Sequence, residues 1–110
     1  MNIKDLNGLA IKKALRAQSA SYRYHNKNKS GGNFGINIRG LKGADFEISG
    51  DYDTEGNVRQ LRFGYLYQHG ISIPEMSFDD LMLFITKAVL KIENKGTAIT
   101  FAVKDLEVMP

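Results

Sequence analysis

The chain of 110 residues contains no cysteine. That excludes a disulfide framework, a thiolate metal site and a cysteine nucleophile. Histidine is scarce too, with two in the whole sequence, His25 and His69. That number argues against a dedicated zinc or iron site, and no cofactor is expected. Long apolar runs are missing. The longest, at residues 81–85, falls far short of the ~18 residues needed to cross a bilayer. No apolar stretch follows a basic start, so no secretory leader and no membrane contact are expected, and the sequence reads as that of a cytoplasmic protein. The rest is ordinary for one globular domain: 43% hydrophobic and 25% charged residues, at a length that supports a single core.

The spacing of apolar residues predicts a helix over residues 3–18, with Ile3, Leu6, Ala10, Ala14 and Ala17 on one face and Leu9, Ile11 and Leu15 widening it. Gly8 weakens the start of that helix, and Asn7 offers a second start as an N-cap. Residues 26–32, Asn-Lys-Asn-Lys-Ser-Gly-Gly, hold no large apolar side chain and predict a solvated, mobile basic loop. Between residues 19 and 73 the period is two. Tyr22 and Tyr24, then Phe34, Ile36 and Ile38, then Phe46, Ile48 and Tyr52, then Leu61, Phe63, Tyr65 and Tyr67 are expected on one buried face. Glycine-bearing turns at 40–43 and 54–57 join these segments into a four-strand antiparallel meander, and Gly50 and Gly64 suggest bulges.

A second helix begins after Ser77, an N-cap with Asp80 three residues on, and stops at Gly96. Leu81, Phe84, Ile85, Ala88, Val89 and Ile92 form its core face, while Met82, Leu83 and Leu90 carry the apolar surface round its side. A last strand is expected over residues 97–103. The fold class is therefore α+β, a two-layer sandwich ordered helix, four strands, helix, strand, with both helices on one face of the sheet. The order of first helix, meander and second helix resembles that of double-stranded-RNA-binding domains. Here, however, Asp79 and Asp80 stand where such domains carry a basic cluster, and the strand count is larger, so that family is not assigned.

Acidic residues are nearly absent from the opening stretch. Residues 1–42 carry nine lysines and arginines against the single acid Asp5, a balance of +8, whereas residues 43–110 carry six bases against eleven acids, a balance of −5. Such asymmetry points to an anionic partner or to internal pairing of the two halves. The candidate contact residues are Lys12, Lys13, Arg16, Arg23, Lys27, Lys29, Arg39 and Lys42, with Tyr22 and Tyr24 as stacking groups for single-stranded nucleic acid or as core. Internal pairing would instead set Glu47, Asp51 and Asp53 beside Asn37 and Arg39.

Catalytic signals are thin. Glu47, Asp51 and Asp53 point to one side of a strand and would suit magnesium only if they converge; an exposed acidic strand is the expected explanation. His25 and His69 would serve metal-independent ribonuclease chemistry if the sheet brought them together. The leading expectation is a non-catalytic binding protein that docks nucleic acid or an acidic protein through its basic N-terminal third. The alternative is a small inhibitor or immunity-type factor of a phage or mobile element, making protein contacts through Tyr65, Tyr67 or Met82. Self-association through the second helix or the last strand is compatible with either.

Overall fold

A computed structural model describes residues 1–65 and 70–95, with side chains described as far as residue 90. Five strands form one antiparallel sheet in sequence order: β1 (Ser19–Asn28), β2 (Gly31–Leu41), β3 (Ala44–Tyr52), β4 (Val58–Tyr65) and β5 (Ile71–Ile73). Two α-helices among the described residues, α1 (Gly8–Leu15) and α2 (Phe78–Lys95), make the fold α+β. No helix among the described residues is long and apolar enough to cross a membrane. The strand expected over residues 97–103 lies outside the described residues, as do Tyr67 and His69.

The start of α1 follows the second of the two sequence alternatives. Residues Ile3–Asp5 form a separate 3-10 turn, and the Asn7 side chain caps α1 by accepting from the N–H groups of Leu9 and Ala10. This break puts the helix out of phase with Ile3 and Leu6, so its buried face is not the expected one. Ile11 and Leu15 are buried, while Ala10 and Ala14 are exposed. Burial of those two branched side chains is worth roughly 1.5–3 kcal/mol each. Gly8, a weak helix former, has a packing reason: a Cβ there would collide with the backbone carbonyl of Ala20, so its absence lets α1 sit tight against β1.

The core joins Phe34, Ile36 and Ile38 of β2 to Phe46 and Ile48 of β3 and to Leu61 and Phe63 of β4. Phe46 stacks on Phe63 at 5.3 Å, and Phe84 of α2 meets Phe63 edge-on at 6.4 Å. Ser77 caps α2 as expected, its Oγ accepting from the Asp80 N–H at 3.2 Å. Met82 differs from the reading as a contact group: it is 6% exposed and belongs to the core, while Leu83 and Leu90 are 40% and 44% exposed. Tyr65 is half-buried and stacks on Phe46 at 5.1 Å.

Residues 26–32 are not a loop. Asn26, Lys27 and Asn28 pair with Asn33, Gly32 and Gly31, leaving a two-residue turn at Lys29 and Ser30. Asn28 holds that turn by accepting from the Ser30 N–H at 2.9 Å.

Among the described residues strand register is broken at three places, and each has an arginine beside it. Arg23 is an extra residue on β1, between Tyr22 opposite Ile36 and Tyr24 opposite Gly35. Arg39 and Gly40 hold the extra residue on β2, and Arg59 is extra on β4. Gly64 pairs regularly with Glu47 and marks no bulge, whereas Gly50 sits opposite Leu61, just before the shift at Arg59. The Arg23 bulge overturns one expectation about faces. Tyr22 and His25 share the core face, and Tyr24 turns to the other, where its ring covers Gly35.

Candidate functional site

The bases of the opening stretch fall into three settings. Arg23 and Arg39 lie on the polar face of the sheet. Arg23 Nε donates to Glu47 at 2.8 Å and its Nη2 at 3.0 Å, a two-pronged contact that crosses β2. Arg39 reaches Asp45 at 3.1 Å. Lys29 and Lys42 occupy the β1–β2 and β2–β3 turns, at opposite ends of β2. With ~3.3 Å per strand residue, those turns are roughly 30 Å apart. Lys42 takes a left-handed backbone (φ 53°) followed by Gly43 (φ 79°), a two-residue turn in which both residues have positive φ.

Lys12, Lys13 and Arg16 form the second setting. All three are exposed, and among the described residues none has an ion-pair partner. With Leu9, Ala10 and Ala17 they line a shallow, mostly apolar groove of about 830 Å³. Leu9 stands 72% exposed within it. Arg16 ends α1 in the left-handed conformation (φ 56°), and the N–H of Ala17 closes the end by donating to the Lys12 carbonyl at 3.1 Å. An exposed leucine rimmed by three cations suits an acidic surface that offers an apolar contact.

The third setting surrounds His25. The N-terminal segment runs beside the start of β4, with the Ile3 N–H donating to Gly56 O at 2.7 Å and the Val58 N–H to Met1 O at 2.9 Å. That pairing brings Lys4 to the end of β1. Here Lys4, His25, Lys27, Tyr52 and Thr54 line a cleft of about 400 Å³. The Tyr22 ring stacks on the imidazole at 4.8 Å, and His25 Nε2 lies 2.8 Å from Tyr52 Oη. Tyr22 Oη donates to the Leu6 carbonyl at 2.9 Å. Burial, with a smaller contribution from the neighbouring Tyr52 hydroxyl, raises the Tyr22 phenol above its ordinary range.

The acids of β3 and of the turn after it are dispersed among other tasks. Glu47 goes to Arg23, and Asp53 accepts from the N–H groups of Glu55 and Asn57 and from Arg59 at 2.7 Å. No group of three or more histidine or acidic residues able to hold a metal ion occurs among the described residues. The His25–Tyr52 pair escaped the sequence reading because its members are 27 residues apart. No local feature of the sequence marks the pair; in the structure Tyr52 sits where a Cβ at Gly32 would strike its ring and hydroxyl. Comparison with protein-family models, curated proteins and solved structures finds no match to this chain.

Proposed function

We propose that this chain is a small non-catalytic binding protein that docks an acidic protein surface through α1. The observation behind this reading is the exposed triad Lys12, Lys13 and Arg16 around Leu9, on a groove of about 830 Å³. Phosphate backbones reward cations and stacking rings, and the groove offers an aliphatic side chain in place of a ring. An acidic protein surface with an apolar anchor uses both features. The reading takes both helices to cover one face of the sheet; support comes from the contacts of α1 with β1 and α2 and of Phe84 with Phe63. It applies equally to an adaptor and to an inhibitor, since both act by protein contact.

The test is recovery of partners from a nuclease-treated lysate by the wild-type chain and by a Lys12→Glu, Lys13→Glu, Arg16→Glu variant. The wild type should retain a partner, cross-linked to α1, that the variant loses while keeping its melting temperature. Leu9→Ala should weaken the same contact. Equal recovery by the charge-reversed variant rejects the surface. Retention of nucleic acid alone, lost on nuclease treatment, assigns the partner to the other class.

A further inference from the structure

We propose that the cleft at the end of β1 binds the phosphate group of a small phosphomonoester, independently of the α1 surface. Two exposed ammonium groups, Lys4 and Lys27, line it together with His25. Neither lysine has an ion-pair partner among the described residues. Two nearby carboxylates are committed elsewhere. Asp5 accepts from the Asn2 N–H at 3.0 Å, and Asp53 is bound to Arg59 and to backbone N–H groups. Glu55 also lines the cleft with an exposed carboxylate, which opposes the two ammonium groups and weakens anion binding there.

The imidazole is held before any ligand arrives. Tyr22 covers one ring face at 4.8 Å, and Tyr52 Oη fixes Nε2 at 2.8 Å. Tyr52 is itself seated in the space that Gly32 leaves by lacking a side chain. A group locked by packing and by a second hydrogen bond binds at a lower ordering cost than a free one. Lys27 faces Gly32 across the β1–β2 pair and lines the same cleft as Tyr52. Two ammonium groups and an imidazole match a phosphomonoester, which carries close to two negative charges at neutral pH. A carboxylate would leave one cation unanswered. The volume of about 400 Å³ falls in the range of small-molecule sites.

The experiment follows the His25 side-chain nitrogens by NMR in the full chain, with His25→Gln to assign them. Inorganic phosphate and adenosine monophosphate are titrated separately at fixed ionic strength. Saturable shifts of His25 are expected with both. Lys27→Gln and Lys4→Gln should each weaken binding by about tenfold, the scale of one charge-assisted contact. Glu55→Gln should tighten it, and Lys12→Gln with Lys13→Gln should leave it unchanged, which separates this site from α1. Tighter binding of the nucleotide would add contacts from its organic part, and equal binding would place recognition in the phosphate alone. Linear, unsaturable shifts with both probes overturn the proposal. So does a Lys27→Gln protein that keeps a dispersed spectrum and wild-type affinity.

Discussion

Arg16 closes α1 at φ 56°, where a residue with a Cβ costs roughly 1–2 kcal/mol and glycine is the usual occupant. Eight residues earlier the preference is inverted, with Gly8 inside the first turn where alanine would favour the helix. Gly8 is explained by packing, since a side chain would meet the carbonyl of Ala20. Arg16 has no such explanation, because it is exposed and lines the α1 groove. Its cost therefore sits where the proposed contact is made, as strained backbone often does at functional positions. Arg16→Gly should raise stability by roughly 1 kcal/mol in urea unfolding. The same substitution should weaken retention of the α1 partner. A loss of stability would show that the guanidinium has a structural task that the backbone angle does not reveal.

At the scale of elements, the three bulges and their arginines form a system. Arg23, Arg39 and Arg59 each leave the regular ladder and reach Glu47, Asp45 and Asp53. A bulge re-aims its side chain, and here each re-aimed arginine meets a carboxylate on or just beyond β3. Asp53 is the most heavily bonded of the three acids. Its carboxyl is held below the ordinary aspartate range, first by the Asn57 N–H and then by Arg59 and the Glu55 N–H, against an opposing desolvation. A depressed folded-state value stabilises the protein above the unfolded value, near 3.9, and that contribution disappears as pH falls through the folded value. Asp53→Asn should therefore melt below the wild type at neutral pH, and the gap should narrow as the medium is acidified past about pH 4. Melting curves that stay parallel across that range would remove Asp53 from the acid response.

Elements were legible where a local signal marked them. Ser77 announced α2, the glycines at 43 and 56 announced their turns, and the alternation of Phe34, Ile36 and Ile38 placed the centre of the sheet. Bulges carry no such local mark. Nothing about Arg23 distinguishes it from a regular outward residue, yet it reverses the face of Tyr24 and sets His25 on the face of Tyr22. The His25 cleft was hidden for the same reason, and β5 was too short for a period to declare itself. Residues 26–32 read as a loop because they lack apolar side chains, but an edge hairpin with wet flanks needs few of them.

At the scale of the molecule, the fold redistributes a charge that the sequence concentrates. Nine bases stand in residues 1–42, but Arg23 and Arg39 turn to the polar face of the sheet and are largely neutralised by Glu47 and Asp45. Lys12, Lys13 and Arg16 keep their field, since no carboxylate pairs with them among the described residues. An ion-exchange surface senses local potential more than net charge, because unpaired charges farther away than ~10 Å are screened at moderate salt. Two variants with the same change in net charge should therefore behave differently. Lys12→Gln with Lys13→Gln should elute from a cation exchanger at distinctly lower salt than the wild type. Arg23→Gln with Arg39→Gln should elute close to the wild type, provided its melting curve confirms that the sheet is intact. Equal displacement of both folded variants would mean that net charge alone governs adsorption, and α1 would then lose its standing as a distinct electrostatic surface.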